Sequence, residues 1–176
     1  MWTEFRNLRP WHDNLDPLTQ PKPDLAYAFP ILESFLGGYE RDGFNKGFSL
    51  GSLRALMQRD FICTPTTSLR NWMKSPGGTI LASPGRACFP WAIVEFKKES
   101  QSSSESAEER CYCQAANASA AALDLYTPLF SINCSEEDSE VPPVISFTCV
   151  GHTVKVWLTY LEKLGDSTTW RRVSGS

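Results

Sequence analysis

The sequence predicts an α/β fold in which one long helix packs on a β-sheet. Residues 107–126 are rich in alanine, and their buried-type residues recur at the 4-3 spacing of a helix face. Residues 90–97 and 144–160 are apolar runs rich in β-branched and aromatic residues, and Gly151-His152 divides the second run into a predicted β-hairpin. Because alanine allows close approach of backbones, we expect tight packing of this helix on the sheet.

Length and charge limit the possible architectures and partners. The chain of 176 residues is long enough for a single domain with its own core, and it has no internal repeat. A net charge of −3 excludes a globally basic surface of the kind that binds polyanions. A nucleic-acid partner would therefore require a local site.

The cysteines and the apolar stretches predict an intracellular protein, nuclear or cytoplasmic. The start of the chain lacks a signal-peptide pattern, and no stretch approaches the roughly 20 apolar residues that span a bilayer, so we expect no membrane partner. The six cysteines form no CxxC pair, which favours reduced thiols over a disulfide framework or a structural zinc site. The oligomeric state stays open.

The single predicted domain covers residues 1–176. Residues 1–20 are expected to form an irregular or short helical lead-in. Serine-rich and acidic composition predicts mobile loops at 99–106 and 135–141. Residues 165–176 are interpreted as a fraying tail.

A short strand is predicted at residues 25–29, between prolines and with Asp24 at its start. Apolar residues at helical spacing predict two helices after it, at 52–61 and 64–73, and a further strand is expected at 79–82. The helices would separate the Asp24 strand from the strand at 90–97.

Glu95 and Lys97 interrupt an apolar run, and strand alternation places them on the same face. One interpretation is a strand that leaves the core, so that both charges meet water. The other is that the charges are paired or hold a metal, because an unpaired charge on a buried strand is strongly unfavourable. Small residues at 26 and 28 leave room beside the Asp24 carboxylate.

In order along the chain, Pro23-Asp24, Glu95-Phe96-Lys97 and a helix carrying Gln114 resemble the PD-(D/E)XK nuclease superfamily. Wider phrases at 23–29, 90–97, 111–118 and 142–151 are similar to fungal proteins with PD-(D/E)XK nuclease-like domains. The resemblance covers about residues 21–162. It implies a restriction-endonuclease-like three-layer core, with a central mixed sheet flanked by helices and a helical insertion before the Glu95 strand.

The resemblance also implies a chemistry, Mg²⁺-dependent hydrolysis of DNA or RNA phosphodiester bonds, with Mn²⁺ as an alternative ion. Asp24, Glu95 and the backbone carbonyl of Phe96 would be the metal ligands. Lys97 would orient or deprotonate the attacking water or stabilise developing charge, and Gln114 would hydrogen-bond near the metal. Sharing one ion requires the Asp24 and Glu95 carboxylates to lie within about 8 Å of each other.

Two other functions remain open from the sequence. A catalytically inactive domain of the same fold could bind protein or nucleic acid, since fold does not determine function. The ordered motifs could also be a coincidence in an unrelated α/β binding domain.

Overall fold

A computed structural model describes residues 2–3, 20–32, 48–74, 85–98, 104–133, 141–164 and 167–175, and the structural statements below concern these residues. Within them, five strands form one mixed sheet in chain order. The strands are β1 (Leu25–Pro30), β2 (Ala87–Lys97), β3 (Val144–Val150), β4 (Thr153–Leu164) and β5 (Ser167–Gly175).

The middle of the sheet is a parallel pair joined by a helix. β2 and β3 run parallel, whereas the β1–β2, β3–β4 and β4–β5 pairs are antiparallel. The parallel pair requires a crossover connection, which the long helix α3 (Ser104–Asn133) supplies. The predicted α/β fold with a mixed sheet is therefore confirmed at this general level.

Two short helices lie between β1 and β2 in the chain, α1 (Leu50–Met57) and α2 (Ser68–Lys74), as the helical spacing predicts. The Ser49 hydroxyl caps α1 by accepting the backbone N–H of Ser52 at 3.2 Å. The start predicted for α2 at residue 64 is wrong. The Thr64 hydroxyl donates to the Thr66 carbonyl at 2.8 Å, and this local turn delays the helix.

Helix α3 covers one side of the sheet, which we call the helix-covered face and which carries Ile93, Glu95, Val144 and Val150. The predicted stripe on α3 is confirmed, since all five of its residues are buried: Cys111, Ala115, Ala118, Ala122 and Leu125. Ala118 and Ala122 belong to the same core cluster as Ile93 and Val144, while Cys111 packs with Val150. Small side chains thus bring α3 close to the strands that carry Glu95 and its neighbours.

The hairpin between β3 and β4 is confirmed. Val150 pairs with Thr153, so Gly151 and His152 form a two-residue turn. Gly151 has φ 56°, the left-handed conformation that such turns require and that glycine adopts without strain. His152 is exposed, as expected for a histidine in a turn.

Two segment predictions are corrected. Residues 167–175 are not a frayed tail but strand β5, paired along β4 from Ser167 to Gly175. Their threonines, tryptophan and valine suit a strand, and the free edge of β4 supplies the backbone partners. The predicted loop at 99–106 ends earlier, because α3 begins at Ser104.

Other segment predictions fall largely outside the described residues. These are the strand at 79–82, most of the lead-in at 1–20 and most of the loop at 135–141. Within the lead-in, Trp2 is buried and its N–H donates to the Pro21 carbonyl at 3.1 Å. Of the helices in the described ranges, none has the length and apolar character needed to cross a membrane. The cysteines at 63, 88, 111, 113 and 149 are free thiols.

Candidate functional site

The pairing of β1 with β2 brings Asp24 next to Glu95. Leu25 pairs with Val94, and the two strands are antiparallel. Asp24, which precedes Leu25, therefore lies beside Glu95, which follows Val94. Lys97 is two residues further along β2 and points to the same face as Glu95. The three charged residues therefore meet on the helix-covered face, near the edge that β1 forms.

Lys97 lies between the two carboxylates. Its Nζ is 3.9 Å from Glu95 Oε2 and 4.0 Å from Asp24 Oδ2. Since both oxygens are this close to one atom, they are no more than about 8 Å apart, so they do not exceed the separation that would rule out a shared ion. Ligand bonds of about 2 Å would require the two oxygens to approach to about 4 Å. The convergence expected for Asp24, Glu95 and Lys97 is present.

Asp24 is held by the backbone of the neighbouring strand. Its Oδ2 accepts the N–H of Phe96 at 2.7 Å, a short hydrogen bond to a charged acceptor. The Phe96 side chain points to the opposite side of the sheet and is exposed. Sequence reasoning named Phe96 for its carbonyl and missed this role of its N–H, because only the register between β1 and β2 reveals it.

Glu95 is the most unusual residue of the site. Its surface is 1% exposed, and in the ionised form neither Oε1 nor Oε2 has a hydrogen-bond partner among the described residues. The interpretation in which Glu95 emerges into water is therefore wrong. Lys97 Nζ, at 3.9 Å, is close enough to attract the carboxylate but too far to donate a hydrogen bond to it. A buried acceptor without a partner destabilises a fold by about 1–3 kcal/mol.

The pKa of Glu95 is raised from 4.5 to about 7, and the largest cause is burial, because removal from water disfavours the charged form. The negative charge of Asp24 contributes to this increase, whereas Lys97 lowers the pKa. A hydrogen bond with Asp24 also raises it, because a protonated Glu95 can donate to the Asp24 carboxylate. Glu95 therefore exchanges its proton near neutral pH. Either a proton or a cation would satisfy the buried oxygens.

The residues present fit a hard divalent cation. Asp24 and Glu95 offer carboxylate oxygens, the donors that Mg²⁺ prefers, and the Glu95 oxygens lack other partners in the described structure. No group of three or more His, Cys, Asp or Glu side chains suited to a metal occurs in the described ranges. Any further ligands would come from the backbone, water or a phosphate, as is common for Mg²⁺.

Gln114 makes no hydrogen bond to the other candidate residues in the described structure. It is exposed on α3. Helix α3 reaches the backbone of Glu95 through Cys111, whose thiol donates to the Glu95 carbonyl at 3.4 Å. The apolar stripe indicated that Cys111 is buried, but its spacing could not identify the strand residue that Cys111 meets.

Sequence reasoning also missed the row of residues beside Glu95. Glu95 pairs with Thr148 on β3, and Thr148 pairs with Lys155 on β4. The Thr148 hydroxyl accepts the Trp157 indole N–H at 2.9 Å, and Lys155 donates to Glu108 at 2.6 Å. Glu108 thus neutralises Lys155, while Lys97 is the cation placed between Asp24 and Glu95.

No family model, curated protein or solved structure matches the chain. The likeness to PD-(D/E)XK nucleases accordingly stays a prediction from the ordered motifs.

Proposed function

We propose that the protein is a Mg²⁺-dependent nuclease whose site is formed by Asp24, Glu95 and Lys97. The observation that carries this proposal is the buried Glu95 carboxylate, which lacks a hydrogen-bond partner among the described residues and has Asp24 and Lys97 beside it. A fold rarely retains such a group without a ligand or a reactive role. The ordered PD-(D/E)XK motifs favour phosphodiester hydrolysis over other reactions at these residues.

Asp24 and Glu95 would hold the ion from adjacent strands, with Asp24 oriented by the Phe96 N–H. When bound, Mg²⁺ supplies an activated water and neutralises the phosphate. Its charge would keep Glu95 ionised at neutral pH, replacing the stabilisation that burial removes. The two carboxylates therefore bind and orient, and burial of Glu95 excludes competing water from one side of the site.

Lys97 would act on the substrate side of the carboxylates. Its side chain is 28% exposed, and its Nζ lies 3.9–4.0 Å from the carboxylate oxygens. From this position it would orient the attacking water or stabilise charge developing on the phosphate. Gln114, the Phe96 carbonyl and the restriction-endonuclease-like core remain proposals from the resemblance.

A second candidate is an inactive domain of this fold that binds another macromolecule. The position of Lys97 favours it, because an ammonium between two carboxylates already supplies a counter-charge without any metal. In that case the three residues would be a structural ion cluster.

The deciding experiment measures cleavage of single-stranded, duplex and structured DNA and RNA with Mg²⁺, Mn²⁺ or EDTA. Glu95→Ala and Lys97→Ala should each reduce metal-dependent cleavage by on the order of a hundredfold or more. Glu108→Ala is the matched control, because it removes a carboxylate paired with a lysine elsewhere on the same face. It should retain activity.

The other outcomes are equally informative. Cleavage that survives both substitutions would come from another site or a contaminant. Nucleic-acid or protein binding without cleavage by the wild-type protein would favour the inactive domain. If no cleavage is seen, titration calorimetry with Mn²⁺ shows whether the metal site is absent or the right substrate was not supplied. A real site binds Mn²⁺ with a measurable heat, and Glu95→Gln should abolish that heat.

A further inference from the structure

The side of the sheet opposite α3 presents a continuous apolar surface to solvent. We call it the open face and define it by six residues that are each 40–58% exposed. They are Leu25, Tyr27, Phe96, Val154, Val156 and Leu158.

The strand register shows that these residues form one surface. Residues paired across strands share a face, and the six lie in three adjacent rows. The first row runs across the sheet from Tyr27 to Leu158, and the second from Leu25 to Val156. The third, shorter row runs from Phe96 to Val154. The ring of Trp91 also lies 5.8 Å from that of Tyr27, at a bulge in the β1–β2 pairing.

The open face carries no charge within these three rows of β1 to β4. Between the six exposed residues, the rows contain only alanine, valine, isoleucine, phenylalanine and cysteine. A polyanion such as nucleic acid finds no complementary cation there, although aromatic rings are present. These three rows fit a partner surface that is itself apolar and uncharged, and the next row, in which Tyr160 pairs with Arg171, borders them.

We propose that the open face is the interface of a homodimer, in which the open faces of two copies pack against each other. A two-fold interface must be complementary to itself, and an uncharged apolar face meets its own copy without like-charge repulsion. Sheets pack face to face about 10 Å apart, with side chains from both interdigitating.

The open face supplies the apolar part of the area that a dimer requires, and residues around it must supply the rest. Six large apolar side chains exposed by about half present on the order of 500 Å², which reaches the largest patches found on monomers. A stable interface buries about 800 Å² per partner, so the open face would form its apolar centre and surrounding residues its rim. This inference does not rest on the proposed nuclease activity, because the charged site lies on the other side of the sheet.

The test is the mass of the full chain by sedimentation equilibrium over a wide concentration range. We expect a reversible dimer of the 19.7 kDa chain. Val156→Lys would bury an ammonium group in an apolar interface without a partner and should weaken the dimer at least about tenfold. Thr153→Lys is the matched control, because it introduces the same residue at an exposed position on the opposite side of β4, and it should leave the dimer intact.

Circular dichroism and thermal melting show whether each variant folds. If Val156→Lys fails to fold, Val154→Lys decides, since Val154 is the most exposed of the six residues and tolerates lysine best. A wild-type monomer at every concentration would overturn the proposal and assign the open face to a different partner. A dimer that survives both lysine substitutions in folded protein would overturn it as well.

Discussion

At the residue scale, the protein holds a carboxylate whose preferred form changes near neutral pH. Burial and the negative charge of Asp24 favour the protonated form of Glu95, whereas the positive charge of Lys97 favours the ionised form. Since folding raises its pKa from 4.5 to about 7, Glu95 costs the folded state no stability below pH 4.5. The destabilisation grows as pH rises through this interval and is complete above about pH 7.

Glu95→Gln should remove this loss of stability at rising pH, because glutamine keeps the shape of the side chain but does not ionise. In metal-free buffer the free energy of unfolding of the wild type should fall relative to the variant by roughly 3 kcal/mol between pH 4.5 and pH 8. Urea unfolding at several pH values measures it. Glu108→Gln, at an exposed ion pair, should change the pH dependence by less than about 1 kcal/mol. Parallel curves for wild type and Glu95→Gln would contradict the expectation.

The two charged neighbours of Glu95 should shift its pKa in opposite directions. Asp24→Asn removes a negative charge and should lower the pKa, while the amide oxygen can still accept the Phe96 N–H. Lys97→Met removes the opposing positive charge and should raise the pKa. Carbon-13 NMR of the glutamate carboxyl groups follows both titrations. Shifts of the same sign in the two variants would show that these charges do not act directly on Glu95.

At the element scale, two glycines differ in whether their backbone conformation tolerates a side chain. Gly151 has φ 56° in the β3–β4 turn, where a side chain is strained. Gly51 lies inside helix α1, and a Cβ added there would meet only the Ser49 hydroxyl, at an ordinary contact distance of 3.9 Å.

Alanine at these positions should therefore have opposite effects. Gly151→Ala should destabilise the protein by about 1 kcal/mol or more, whereas Gly51→Ala should stabilise it by about 0.5–1 kcal/mol through helix propensity. Urea midpoints of the two variants provide an internally matched comparison. Destabilisation by Gly51→Ala would mean that α1 has less room than its described contacts indicate.

At the scale of the whole molecule, the sheet separates two surfaces of contrasting chemistry. One face carries the buried acid and its charged neighbours beside α3, and the other carries exposed apolar side chains. Successive side chains of β2 alternate between these faces, so Phe96 belongs to one surface and its neighbours Glu95 and Lys97 to the other.

The two surfaces should respond independently to substitution. Mg²⁺ should raise the melting temperature of wild type and Val156→Lys by the same amount, because the stabilisation by a ligand of the folded state depends on its concentration and affinity, which this substitution leaves unchanged. Glu95→Gln should lose this response yet keep the wild-type mass in sedimentation. Loss of the Mg²⁺ response in folded Val156→Lys would reveal coupling between the faces through β2.

The sequence alone was sufficient for the local features. Alternation placed Glu95 and Lys97 on one face, the alanine spacing identified the buried side of α3, and the Gly-His turn located the hairpin. Each depends on residues close in the chain, whose relative positions follow from the repeat of a helix or strand. The tail at 165–176 was misread because pairing to β4, a tertiary interaction, determines its conformation.

Tertiary structure decided the contacts between distant segments. The register of β1 against β2 sets Asp24 beside Glu95 and delivers the Phe96 N–H to it, and no local pattern encodes that register. Packing of α3 buries Glu95, and this burial raises its pKa. The sequence thus determined which residues carry charge and on which side of a strand they lie. Only the assembled sheet decided which charges meet and how far they are from water, because desolvation and Coulomb interaction depend on three-dimensional distance.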